Sequence, residues 1–163
     1  MYRVVTQGWV IAIMAVTAIG LNRSAAAQFG SQKVGAPDAT VEQIRELQRD
    51  KTKQDKFVLV DVRSDEECRV SVIKGAITKA QFEREFEKHK QKAVIVYCTV
   101  GARSATYANQ LKQKGWNAWN YKGSIIDWCK NKLPLTTVDG KATNRVHTYS
   151  RWYRVPSIYK AVY

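Results

Sequence analysis

Two short runs dominate what this chain can become. Phe57-Val58-Leu59-Val60 and Ala93-Val94-Ile95-Val96-Tyr97 are apolar, rich in β-branched residues and free of polar interruption. A strand with one wet face alternates polar and apolar positions, whereas unbroken runs of this length belong to strands covered on both faces. A helical segment lies between them: Thr78 and Gln81 have capping-box spacing ahead of Phe82 and Phe86. Strand, helix and strand in that order imply a crossover, hence parallel strands with helices on both faces of the sheet.

The same pattern extends in both directions. Thr40 and Gln43 repeat the capping spacing around Val41, Ile44 and Leu47, and a charged stretch, Arg49 to Lys56, separates that helix from the first strand. After the second strand a glycine-containing turn leads into a helix with Ala105, Ala108 and Leu111 on one face, closed by Gly115. Trp116 to Tyr121 reads as a further short strand, and Ile125, Ile126 and Trp128 begin a last helix that stops before Pro134. With 45% hydrophobic and 25% charged residues, the 163-residue chain is enough for one such domain plus appendages and too short for two. The expected fold is a small three-layer α/β domain over residues 39–135, its central parallel sheet flanked by helices, followed by a basic aromatic C-terminal extension at 136–163.

The N-terminal segment is set apart from this fold. Arg3, the uncharged run Trp9 to Leu21 and Ala25-Ala26-Ala27 have the three-part form of a secretory signal, residues 1–27. As a helix the run spans about 20 Å at ~1.5 Å per residue, short of a ~30 Å hydrocarbon core, which favours cleavage near Ala27 over an anchor. Residues 28–38, with Gly, Ser and Pro and no periodicity, read as a linker. The expected location is periplasmic or secreted. Lys and Arg outnumber Asp and Glu by 27 to 14, an excess that suits anionic partners without choosing among them. Export disfavours nucleic acid as that partner.

The most informative segment is Cys98-Thr99-Val100-Gly101-Ala102-Arg103-Ser104. It stands at the carboxyl end of a predicted strand, where ligands of open α/β sheets sit. A turn opened by Gly101 can aim several backbone N–H groups at one point, and the following helix N-terminus and Arg103 add positive charge. Such a bowl stabilises a thiolate and equally holds an oxyanion. A buried strand-end thiol beside an ordinary turn is the bland alternative. Attack on phosphorus and attack on sulfur are the chemical ones, and four residues between Cys98 and Arg103 are one fewer than cysteine-dependent phosphatases carry.

This Cys-x-x-Gly-x-Arg-Ser string resembles the active-site loop of rhodanese-like sulfurtransferases. Leu59-Val60-Asp61-Val62-Arg63 with Glu66-Glu67 resembles the family's first signature, and Lys74-Gly75-Ala76-Ile77 its "P-G-A-x" turn. Tyr121-Lys122-Gly123-Ser124-Ile125, with Trp128 and Leu133-Pro134-Leu135, resembles its closing "G-G-x-x-x-W…P-L" segment. The resemblance covers roughly residues 40–135. It implies a rhodanese-like domain and a persulfide relay in which Cys98 takes sulfane sulfur from thiosulfate or another small anionic donor. The sulfur then passes to cyanide, a thiol or a protein acceptor. Residues Thr99 to Ser104 would hold the persulfide, Arg103 would attract the donor or brace the loop, and no metal or organic cofactor is needed. The chain departs from the family where the usual "G-H-I-P-G-A" reads Ser71 to Ala76, where Ser124 replaces the second closing glycine, and where Cys68 replaces an aromatic. The alternative from another class is a binding or redox-partner module that keeps the fold with little turnover.

The remaining candidates carry blander expectations. Asp61 and Arg63 support the cysteine loop or pair with neighbours, a structural role being favoured. Glu66 and Glu67 read as a solvated helix start, and His89, in EFEKHKQK, as a solvated side chain. Cys68 and Cys129 are either a disulfide or two buried thiols. His147 has no second metal ligand in sight. The extension, with Arg145, Arg151, Trp152, Arg154 and its tyrosines, is expected to pack Trp152 and the tyrosines on the domain. A basic aromatic surface for lipid headgroups or a partner is its alternative, and membrane contact is not favoured.

Overall fold

The computed structural model describes residues 35–163; the stretch read as a secretory signal and most of that read as a linker lie outside the described residues. The chain runs through α1 (Val41–Arg49), a 3-10 turn at Gln54–Lys56, β1 (Phe57–Asp61), α2 (Asp65–Val70), β2 (Val72–Ile73), β3 (Ile77–Thr78), α3 (Lys79–Arg84), α4 (Phe86–His89) and β4 (Ala93–Tyr97). It continues with α5 (Ala102–Gln113), β5 (Ala118–Asn120), α6 (Ser124–Lys130), β6 (Leu135–Thr136), β7 (Ala142–Thr143), β8 (Arg145–His147) and β9 (Lys160–Val162). The central sheet is parallel in the order β3-β1-β4-β5, with Val58 opposite Val94 and Val60 opposite Val96.

Period-two alternation divides the two long strands between two cores. Leu59 and Ile95 face one side with Ile44 of α1 and Ile125 and Trp128 of α6. Val58, Val60, Val94 and Val96 face the other with Phe82 of α3 and Ala108 and Leu111 of α5. Both faces are therefore dry, which is why neither run needed a polar residue. The capping box at Thr40 closes in both directions, Thr40 Oγ1 accepting from Gln43 N–H and Gln43 Oε1 from Thr40 N–H. At Thr78 only the hydroxyl half forms, and α3 breaks at Glu85 before α4. Gly115 has φ +85° and ends α5, as its place in the sequence predicts.

Three features differ from the sequence reading. Residues 36–38 run alongside β5: Asn120 N–H donates to the Pro37 carbonyl, and Asn120 Nδ2 to Asp38. His89 is buried with both ring nitrogens unpartnered, its ring 5.5 Å from that of Phe82; the apolar side of α3 and α4 draws it in despite the charges around it. The extension is ordered by two small sheets, β2-β6-β7 and β8-β9. Val146 is fully buried in the first core, where Val155 and Tyr159 also pack, while Trp152 stays 79% exposed against Arg151. Packing of the extension thus rests on Val146, Val155 and Tyr159 and not on Trp152.

Candidate active site

The site begins where β4 ends. Cys98 is buried, its N–H donates to Ser124 Oγ at 3.1 Å, and its carbonyl accepts from Ile125 N–H at 3.2 Å. The first turn of α6 thus ties down the backbone that carries the nucleophile, and Ile126 N–H does the same for the Thr99 carbonyl at 3.3 Å. Ser124 holds a left-handed backbone, φ +56°, at the position where the family has its second glycine. Its hydroxyl supplies what a glycine could not, accepting from Cys98 and donating to the Tyr121 carbonyl at 2.9 Å.

Gly101 turns the chain into α5 with φ +98°, and a Cβ there would collide with the Lys122 carbonyl. Glycine is required twice over, by the backbone angle and by the close approach. As the N-cap of α5 it has no side chain to satisfy the first turn, so the free N–H groups of that turn remain for an anion. Gly101 N–H points at Cys98 Sγ, 3.1 Å away, and Ser104 Oγ lies 3.6 Å from it. Ser104 is itself fully buried, and its one hydroxyl proton is shared among Cys98 Sγ, the Gly101 carbonyl and Asn120 Oδ1, the last two at 3.0 and 2.7 Å. Burial pushes the Cys98 thiol up, but hydrogen bonds from the backbone and hydroxyl of Ser104 and from the Gly101 and Val100 N–H groups outweigh it, so the thiol sits below its ordinary value.

Arg103 does not face the sulfur as a free cation. Its Nη1 donates to Glu67 Oε2 at 2.7 Å and its Nη2 to Glu67 Oε1 at 2.9 Å and to Thr99 Oγ1 at 2.8 Å. The Thr99 hydroxyl donates in turn to Glu67 Oε1 at 2.8 Å. Glu67 is therefore not a solvated helix residue. It is buried, and its other contact, with the Ser64 N–H at 3.0 Å, completes the capping box of α2. Burial alone would raise its carboxyl, yet Arg103, the Ser64 N–H and the Thr99 hydroxyl hold it at about 2. Glu66, its neighbour, is solvated as expected and pairs with Arg69. Only the second residue of the acidic pair faces inward, and the sequence signal that could have found it is the Ser64–Glu67 capping-box spacing, which fixes which way that side chain turns.

Asp61 and Arg63 form a fully buried pair, Nη2 to Oδ2 2.6 Å, at the end of β1. Arg63 also donates to the Ser71 carbonyl at 2.6 Å and the His147 carbonyl at 3.4 Å. Their hydrogen bonds among the described residues join β1 to β2 and the extension, not to the cysteine loop. Cys68 and Cys129 are both free and buried, and burial pushes each thiol up to about 12. Of the two readings left open for this pair, buried thiols is the one observed. Of the loop, Val100, Ala102 and Arg103 reach solvent, while Cys98, Thr99, Gly101 and Ser104 are buried.

The profile of the rhodanese-like domain matches residues 40–131. A sulfurtransferase of Allochromatium vinosum is 32% identical over 87 residues, 51% of this chain and 81% of that protein. A tRNA uridine(34) hydroxylase of Acinetobacter baylyi is 35% identical over 85 residues, 46% of this chain but 27% of its own length. The chain thus spans less than a third of that hydroxylase. Among solved structures, the rhodanese-like domain of an Anabaena protein superimposes with a TM-score of 0.54 at 16% identity, over 78% of this chain and 92% of that one, a likeness of fold.

Proposed function

The chain belongs to the rhodanese-like domain family, and from that premise we propose that it is a sulfurtransferase working through a persulfide on Cys98. The observation that carries the reading is the sulfur's surroundings: N–H donors of Gly101, Val100 and Ser104 converge on a buried thiol and favour its anion. A thiolate so held attacks the outer sulfur of thiosulfate or of a persulfide. The new bond joins Cys98 Sγ to that sulfur, and sulfite or a thiolate leaves with the electron pair of the broken bond. The cysteine persulfide is anionic at the same place, so the donors that favour the thiolate serve the intermediate as well. A thiol or cyanide then attacks the outer sulfur and returns the thiolate. No proton need be taken from a nucleophile that is already ionised, which is why no general base is assigned. Arg103 and Glu67 hold the loop rather than react.

Export by the segment at residues 1–27 would set this chemistry outside the cytoplasm, with a small thiol or a protein cysteine as acceptor. The test is intact-mass measurement of the reduced protein before and after thiosulfate or glutathione persulfide, in wild type and Cys98→Ser. The expected result is a gain of one sulfur, about 32 Da, that is absent in the variant and removed by cyanide or dithiothreitol. No gain from either donor, with Cys98 shown to be reduced, overturns the assignment and leaves a binding module on the same fold.

A further inference from the structure

The extension lies beyond the segment matched by the family profile, yet it reaches the cysteine loop. The Tyr149 ring centre is 5.5 Å from the guanidinium carbon of Arg103. Thr148, next to it, is fully buried, with its N–H on the Val162 carbonyl at 2.8 Å and its Oγ1 on the Ser150 carbonyl at 3.1 Å. Between these fixed points Tyr149 takes φ +65°, with its N–H on His147 Nδ1 at 3.1 Å. A bulky side chain is strained there and stays only where its surroundings over-determine it. Core packing does not account for the strain, because Tyr149 is 66% exposed.

Charge narrows what such a ring would meet. Arg103 is the one cation between Cys98 and Ser104, and Glu67 engages both of its Nη atoms. A dianion at this mouth therefore meets a neutralised guanidinium. The exposed Lys122 behind Gly101 offers charge to any anion alike and so does not discriminate. What the loop turns to solvent is Val100, Ala102 and the paired Arg103, with Tyr149 against Arg103. The first-turn N–H groups of α5 serve the charge of either donor, so what this rim adds is surface for a carbon body, which thiosulfate lacks.

We propose that Tyr149 is a wall of the Cys98 site and selects an organic persulfide over thiosulfate as the sulfur donor. This rests on the reading of Cys98 as a sulfur carrier. In the step, the Cys98 thiolate attacks the terminal sulfur of R–S–SH, the Sγ–S bond forms, the donor S–S bond breaks, and R–S⁻ leaves. Charge and electrons balance without an external oxidant or reductant.

Single-turnover loading of Cys98, followed by mass in the purified chain, tests this with glutathione persulfide and sodium thiosulfate at equal ionic strength. The wild type should load faster from glutathione persulfide. Loss of one aromatic contact corresponds to a roughly tenfold fall in the organic-to-inorganic rate ratio in Tyr149→Ala, with recovery in Tyr149→Phe. Tyr149→Gly, which relieves the backbone, gives the same readout should the alanine variant fold poorly. A parallel loss with both donors would overturn the proposal, since Tyr149 would then only brace Arg103. A wild type that prefers thiosulfate would overturn it too. If neither donor adds sulfur to reduced wild-type Cys98, the carrier reading fails first, and the selectivity falls with it.

Discussion

Replacing Glu67 with Gln removes one charge from the middle of the loop's bracing while keeping the side chain's shape. The amide oxygen in the Oε1 place still accepts from Thr99 and from Arg103 Nη2, but the NH2 in the Oε2 place faces Arg103 Nη1 and the Ser64 N–H, donor against donor. The size of the effect follows from the carboxyl's position at about 2 against an ordinary 4.5. At 1.36 kcal/mol per unit, that displacement corresponds to about 3 kcal/mol. Arg103 is 41% exposed on its side chain, so water replaces part of the lost pairing, and ~2 kcal/mol at neutral pH is the expected destabilisation. Urea unfolding reads this as a midpoint lower by about 1 M for a protein of this size. The pH dependence is the sharper signature. Glu67 has a lowered value in the folded chain, so its stabilisation is complete above 4.5 and disappears as pH falls towards 2. The difference between wild type and variant should therefore shrink to nothing across that window, because protonating Glu67 does in the wild type what the substitution does in the variant. A difference that stays constant from pH 7 to pH 2, or no difference at neutral pH, would refute the reasoning.

Three further outcomes are expected. Alkylation of native protein by iodoacetamide at neutral pH should modify Cys98 and spare Cys68 and Cys129, whose thiols burial holds near 12; peptide mass spectrometry against pH should place the Cys98 midpoint below that of a free thiol, and Ser104→Ala should raise it. His89 is buried without a partner, and burial lowers its value, so the folded chain resists its protonation; stability should decline as pH falls below about 6.5, and His89→Phe should remove that decline in thermal melts at pH 5 and pH 7. Gly101→Ala forces a Cβ into the Lys122 carbonyl at φ +98°; a loss of about 2 kcal/mol or more in urea, together with loss of Cys98 reactivity, is expected, and an unchanged midpoint would mean the loop can move aside.

The legible part of the fold is the part governed by period. Leu59 and Ile95 fall on one face and Val58, Val60, Val94 and Val96 on the other because a strand buried on both sides sends its side chains alternately into two cores. The capping residues and Gly115 mark helix ends through their own backbone chemistry, which depends on nothing distant. The short strands β6 to β9 have no such mark. Each has two or three residues, too few for an alternation to repeat, and their pairing is settled by contacts such as Val146 entering a core whose other residues reach back as far as Ala39. His89 fails for the complementary reason: its neighbours along the chain are charged, while its neighbours in space are Phe82 and the apolar side of α3.

The same distinction runs through the site. Cys98, Gly101 and Ser104 are near in sequence, and a strand-turn-helix unit brings them together by itself, so the sulfur's cradle could be read before any fold was known. What sets the charge of the cradle is not local. Arg103 adds a positive charge on paper, but Glu67, thirty-six residues earlier, cancels it at 2.7 and 2.9 Å. The thiolate is consequently favoured by fixed backbone and hydroxyl dipoles rather than by a nearby free guanidinium. Dipoles of that kind are already oriented and lose little when the sulfur's partner changes from a proton to another sulfur. A free arginine would bind the arriving anion and the departing one alike, whereas a paired one leaves the choice of donor to the shape and apolar character of the rim. The extension supplies part of that rim, from outside the segment that defines the fold.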